Sequence, residues 1–136
     1  MKSKLTCLMI LMLTIGVSYP LFSQNEENIQ LIEKQLAAYN ERNIDEFVSC
    51  YSDSVKIYDF PEQLLYEGIE TFRKNYAYMF DKYQDLNCVV TNRIVEGNIV
   101  IDHEDVLFQK GRPRGKFIAI YHIEKGKIQK VYFMTP

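Results

Sequence analysis

Two histidines and three cysteines are all the imidazole and thiol groups in the chain, and none of the five falls into the Cys or His spacing of a zinc site. No glycine-rich phosphate loop is present either. The residues therefore imply no metal and no cofactor. Positive charge is not in excess, since 16 Lys and Arg stand against 18 Asp and Glu for a formal net charge of −2, which opposes a general affinity for nucleic acid. Repeats, low-complexity tracts and linkers are missing as well. With 47% hydrophobic and 25% charged residues over 136 positions, the composition is that of one ordinary globular domain.

No apolar run reaches the roughly 20 residues of a membrane-spanning helix. The longest, Leu5 to Val17, has thirteen residues, follows the basic Lys2 and Lys4, and leads into a small, proline-containing segment from Ser18 to Ser23. This is the layout of a secretory signal peptide, with residues 1–23 as leader and 24–136 as the mature domain. A secreted or periplasmic location is expected, with no membrane association after cleavage. Cys7 lies at the start of the run rather than after it, which argues against a lipid-anchored mature protein. Cleavage removes Lys2 and Lys4 and no acid, so the formal charge moves from −2 to −4. Cys50 and Cys88 remain in a compartment that permits a disulfide. Read as late in a helix and early in a strand, they are expected as buried free thiols.

Ile29, Ile32, Leu36 and Tyr39 recur at helical intervals between about Glu26 and Arg42, with Glu33, Lys34 and Glu41 on the other side. Asn43-Ile44-Asp45-Glu46 then has the form of a capping box for a short second helix carrying Ile44, Phe47, Val48 and Tyr51, ended by Ser52-Asp53-Ser54. Alternation takes over in Val55-Lys56-Ile57-Tyr58-Asp59, where a period of two puts Val55, Ile57 and Asp59 on one face. An acid thus follows two core aliphatics inward. Pro61 ends that strand, a loop follows, and Gly68 precedes a third helix with Ile69, Phe72, Tyr76, Met79, Phe80 and Tyr83 in its stripe.

Four strands complete the chain: Leu86 to Glu96, Ile99 to Gln109, Lys116 to Glu124 and Lys127 to Met134, joined by connections short enough to require antiparallel neighbours. The order predicts an α+β fold with three helices covering one face of a curved sheet. In Phe117 to Ile123 both alternating sets are apolar, and helices can cover only one of them. The outer sheet face is therefore expected to pack on a second subunit in a homodimer.

These elements resemble the SnoaL-like branch of the nuclear transport factor 2-like superfamily, a cystatin-like roll. The matching stretches are Tyr39-Asn40 with Asn43-Ile44-Asp45, Tyr51-Ser-Asp-Ser-Val55, Tyr58-Asp59-Phe60-Pro61, Tyr66-Glu67-Gly68, and Asn92-Arg93-Ile94-Val95-Glu96-Gly97-Asn98 leading to Ile101-Asp102-His103-Glu104. The resemblance covers about Glu26 to Met134 and implies a cone-shaped antiparallel sheet closed by the helices, with a pocket at its open end. The superfamily includes ketosteroid isomerases, polyketide cyclases, dehydratases, ligand binders and adaptors, so the fold alone does not select an activity. Alignment with the isomerase pattern puts Asp59 at the general base, Gln35 where the oxyanion tyrosine sits, and Ile120 where a protonated acid assists it. Loss of an oxyanion donor typically costs ~10² to 10³ in rate. Ketosteroid isomerisation is accordingly disfavoured.

The strand Ile99 to Gln109 offers two faces, Ile99-Ile101-His103-Asp105-Leu107 and Val100-Asp102-Glu104-Val106-Phe108, and alternation does not choose between them. The resemblance favours the first set as inward, which brings His103 toward Asp59. On that reading Asp59 is the base, His103 its acid or electrophilic partner, and Asp105 orients His103 or binds a ligand hydroxyl. His122, with Ile118 and Ile120 on the same face, joins Gln35 and Phe133 as the expected ligand-binding residues. Plainer roles fit the same residues: an Asx-type turn for Asp59, an internally bonded histidine at 103, core tyrosines at 39, 51, 58 and 76, and a solvated turn for Lys110, Arg112, Arg114 and Lys116. The expected function is binding of a small, largely apolar molecule in the cone, with acid–base chemistry of the isomerase, cyclase or dehydratase type. The alternatives are a non-catalytic ligand-binding module and a protein-interaction dimer whose cone is plugged by its own aromatics.

Overall fold

The computed structural model describes residues 23–135, so the expected leader lies, all but Ser23, outside the described residues. Helix α1 (Gln24–Glu41) begins in a complete capping box. The Glu26 N–H donates to the Ser23 hydroxyl at 3.3 Å and the Ser23 N–H donates to the Glu26 carboxylate at 2.9 Å, satisfying two N–H groups that the helix itself leaves unpaired. Cleavage after Ser23 would remove this cap, worth about 1 kcal/mol. Asn28, Ile32, Gln35 and Ala38 form the buried stripe of α1. Two asparagines anchor it to the sheet: Asn28 donates to the Gly97 carbonyl at 2.7 Å, and Asn40 both donates to the Cys88 carbonyl at 3.0 Å and accepts the Cys88 N–H at 2.7 Å.

Helix α2 (Ile44–Ser49) is shorter than the apolar spacing suggested, and Tyr51 already belongs to strand β1 (Tyr51–Asp59). Asn43 caps it, accepting the Glu46 N–H at 3.2 Å. The reciprocal half of the expected box is absent because the Glu46 carboxylate pairs instead with Lys34 at 3.0 Å. After Pro61 the chain does not loop away but returns as β2 (Gln63–Glu67), antiparallel to β1. This edge strand escaped the sequence reading because most of its side chains are exposed and it lacks an alternating apolar set.

Helix α3 (Ile69–Lys82) leads into β3 (Asn87–Glu96), β4 (Ile99–Leu107), β5 (Gly115–Glu124) and β6 (Lys127–Met134), an antiparallel meander. The six strands run in the order β2-β1-β6-β5-β4-β3. The expected α+β roll with its curved sheet is therefore present, with one addition: β1 pairs parallel to β6. Register shifts interrupt four of the five pairings, between Ile57 and Tyr58, Tyr51 and Lys56, Val90 and Asn92, and His122 and Ile123. Each extra residue bends its strand and tightens the local twist, so the sheet wraps around the helices. No described helix is long and apolar enough to cross a membrane.

Aromatic side chains fill the space between α1, α2, α3 and the bent sheet. Phe47 stacks on Phe72 at a centroid distance of 5.5 Å, and the rings of Tyr51 and Phe72 lie 4.2 Å apart. Phe72 is fully buried and touches no part of the cavity described below. Phe72→Ala is thus expected to lower the unfolding free energy by about 3–5 kcal/mol, measured by urea denaturation. A loss below about 1 kcal/mol would show that this cluster does not hold the helices to the sheet.

Candidate functional site

Between the helices and the inner sheet face lies a cavity of about 290 Å³, at the lower end of the size of small-molecule sites. Its floor is made by Gln35, Tyr51, Glu104 and Tyr121, all buried. Tyr39, Tyr76, Phe108, Phe117 and Phe133 form walls, and the exposed residues Asp59, Leu65 and Thr135 mark the mouth. Space remains inside, so the cone is not plugged by its own aromatics.

One chain of hydrogen bonds organises the floor. The Tyr51 hydroxyl donates to Gln35 Oε1 at 3.0 Å, Gln35 Nε2 donates to the Tyr121 hydroxyl at 3.4 Å, and that hydroxyl donates to Glu104 Oε1 at 2.8 Å. Helix α1 supplies Gln35, the start of β1 supplies Tyr51, and the paired strands β4 and β5 supply Glu104 and Tyr121 from the same inner face, four residues apart in register. Glu104 is only 8% exposed. Burial disfavours its ionised form and pushes the carboxyl up to about 7 from the usual 4.5, with the Tyr121 hydrogen bond pulling in the opposite direction and the nearby Asp102 charge adding to the rise. Burial likewise drives the Tyr51, Tyr76 and Tyr121 hydroxyls far above their ordinary value. Tyr51 and Tyr121 act as neutral donors, while Glu104 can hold or release a proton at neutral pH.

Below the floor, Asp102 is fully buried and Arg93 of β3 binds it in a fork, Nε to Oδ1 at 2.6 Å and Nη2 to Oδ2 at 2.8 Å. Arg93 also reaches Glu33 on α1. The pair is charge-assisted and bidentate, the strong form of such a contact. Among the described residues, no three His, Cys, Asp or Glu side chains converge as a metal would require.

Several expected residues lie elsewhere. The inner face of β4 is Val100, Asp102, Glu104 and Val106, so His103 is exposed on the outer face and does not meet Asp59. Because side chains alternate, the choice of face moved every candidate on the strand by one residue. Asp105 also points outward and forms an ion pair with Arg114 at 2.7 Å. Ile118, Ile120 and His122 lie on the outer face of β5, opposite the inward Phe117, Ala119 and Tyr121; the alignment position at Ile120 therefore does not face the cavity. Gln35, Phe133 and Asp59 do line it. Asp59 is exposed at the rim because it is the last residue of β1, paired with Phe133 where β6 also ends. Glu104 and Tyr121 were missed, although Arg93 and Asp102, directly opposite in the β3–β4 register, signal a paired inward acid on that face.

A bent sheet closed by helices around an aromatic cavity is the nuclear transport factor 2-like architecture. Within it the chain belongs to the SnoaL-like domain family, whose model matches residues 32–131. Similar solved structures include an uncharacterized cystatin fold protein from Novosphingobium aromaticivorans, 24% identical over 78% of this chain and 96% of that one, with a TM-score of 0.71. An NTF2-like protein of unknown function from Cytophaga hutchinsonii is 21% identical over 80% and 89%, with a TM-score of 0.67. An LEH-like epoxide hydrolase from M. tuberculosis is 12% identical over 85% and 82%, with a TM-score of 0.71. At these identities the likeness is one of fold. No curated protein matches the chain.

The raised value at Glu104 makes a stability prediction. A folded pKa above the unfolded one contributes stability that is fully present below pH 4.5 and is lost as pH rises to about 7. Relative to Glu104→Gln, which keeps the acceptor for Tyr121, the native protein is expected to lose about 3 kcal/mol across that window. Denaturant titrations at a series of pH values check this. Parallel stability curves for the two proteins would contradict it.

Proposed function

We propose that this SnoaL-like domain binds a small, largely apolar molecule in its cavity and moves a proton to or from it through Glu104. The observation that carries the reading is a carboxyl group buried among aromatic rings with its pKa raised to about 7. At that value both protonation states are available at neutral pH, the condition for efficient general acid–base catalysis. As base, the Glu104 carboxylate takes a proton from a carbon or oxygen of the ligand; as acid, it returns one. The Tyr121 hydroxyl, donating to Oε1, holds the carboxyl in one orientation and stabilises its ionised form. Tyr51 and Gln35 fix the Tyr121 hydroxyl in turn. Proton transfer of this kind serves isomerisation, cyclisation or dehydration, and Asp59 at the mouth supplies a polar contact rather than the base.

A non-catalytic binding site is the second reading. It is favoured by the hydrogen bonds that the floor residues Tyr51, Gln35, Tyr121 and Glu104 already make to one another. Secretion by the leader at 1–23 belongs to the proposal, as does a homodimer. For the dimer, one outward apolar residue from each strand forms a continuous row: Leu64, Tyr58, Tyr132, Ile120, Ile101 and Ile94. Leu64 and Ile94 at its ends are 47% and 56% exposed, the four between them are half-buried, and a contiguous apolar row of this kind suits a partner of the same shape.

Turnover of the substrate, identified by mass spectrometry of molecules that co-purify with the protein, is expected to fall ~10² to 10⁴-fold in Glu104→Gln. An inflection in kcat/KM near pH 7 should vanish in the same variant. Unchanged turnover would overturn the catalytic reading, and a change in affinity alone would favour the binding module. For the assembly, light scattering is expected to report a dimer that Ile120→Lys converts to monomer. A monomeric native protein would remove the dimer from the proposal.

A further inference from the structure

The charged groups lining the cavity are of one sign. Glu104 lies at the floor and Asp59 at the mouth, and among the described residues no lysine, arginine or histidine lines the space. Eight of the lining residues are aromatic, and the face of each ring carries the negative end of a quadrupole. One atom at the floor is left open: Tyr121 occupies Glu104 Oε1, and no described donor reaches Oε2. A carboxylate or phosphate ligand would meet two acids and no counter-charge. A cation would meet a carboxylate oxygen, ring faces of the kind that bind ammonium groups, and an acid at the entrance that draws positive charge inward.

We infer that the cavity selects a small organic cation, a protonated amine on an apolar body, with its ammonium group on Glu104 Oε2 and its hydrocarbon against the aromatic walls. This rests on the reading of the cavity as a ligand site and names the class of molecule that the site takes. The ammonium supplies the donor that the open oxygen lacks, and the apolar body is desolvated by the rings. With a volume of about 290 Å³, the space suits a body of one ring.

Binding of such a cation requires the ionised carboxyl, so affinity must rise with pH as Glu104 loses its proton. The other titratable groups facing Glu104 are the hydroxyls of Tyr39, Tyr51, Tyr76 and Tyr121 and the Cys88 thiol, all pushed up by burial and neutral in this range. The remaining neighbours, Asp102 and Arg93, are locked in their ion pair. Among these groups facing the ammonium site, Glu104 is the one raised into the neutral range, and Asp59 stands apart from it at the mouth.

Three probes of nearly equal shape test the inference by calorimetry: cyclohexylmethylamine, cyclohexylmethanol and cyclohexanecarboxylate. The amine is expected to bind at least about tenfold more tightly than the alcohol at pH 8, with the carboxylate failing to bind. Between pH 6 and pH 8 its affinity should rise about tenfold, as expected for a group titrating near 7. Glu104→Gln, measured alongside a thermal melt that verifies folding, should erase both the preference and the pH dependence. Equal or tighter binding of the alcohol, or any binding of the carboxylate, overturns the inference and leaves the proposed acid–base function standing. Failure of all three probes to bind overturns both.

Discussion

The Glu104 carboxyl sits where an ionised group is most costly, on the inner face of a sheet and against aromatic rings, and the rest of the site is arranged around that cost. Removing a carboxylate from water is tolerated only when it is neutralised, paired or hydrogen-bonded. Here one oxygen accepts the Tyr121 hydroxyl, and the remaining penalty appears as a raised pKa rather than as a salt bridge. Its neighbour two residues away solves the same problem differently. Asp102 is more deeply buried but is held by the Arg93 fork, with Glu33 outside completing the arrangement. Two acids on one strand face thus have opposite fates, one held in an ion pair and one left with a raised pKa.

The fold makes this division possible. The register shift in β3 beside Val90 and Asn92 lies next to the segment of β4 that carries His103 and Glu104, bending the sheet where the cavity floor forms. Helix α1 then contributes on two levels: Asn28 and Asn40 fasten it to the sheet, and Gln35 extends the hydrogen-bond chain from Tyr51 to Tyr121. Because every hydroxyl in that chain is buried and neutral, the orientation of the Glu104 carboxyl is fixed by packing and not by mobile charges. The mouth, by contrast, is built from strand ends. Asp59 and Thr135 are exposed there because their strands stop.

Much of the architecture was legible in the sequence, because the helical stripes and alternating runs are strong over their full lengths. The stripe from Ile29 to Tyr39, the meander after Leu86 and the Asn43 cap all correspond to observed elements. Edge strand β2 was not legible, since Gln63 to Glu67 lies mostly exposed and has no core face to reveal it. The site was legible only in part. Gln35, Phe133 and Asp59 line the cavity, but both alternating sets of β4 mix aliphatics with acids, and periodicity cannot decide between two such faces. Arg93 carried the missing information: only its cross-strand position opposite Asp102 makes that acid tolerable inside. With Asp102 inward, Glu104 follows and His103 must face out.

The site depends on Glu104 keeping its proton to near-neutral pH. The most direct measurement is the side-chain carboxyl carbon-13 chemical shift of Glu104 as a function of pH, assigned by comparison with the Glu104→Gln spectrum. A titration midpoint near 7 is the predicted result. A midpoint near the ordinary 4.5 would mean that the carboxyl is solvated and that Glu104 is ionised throughout the neutral range.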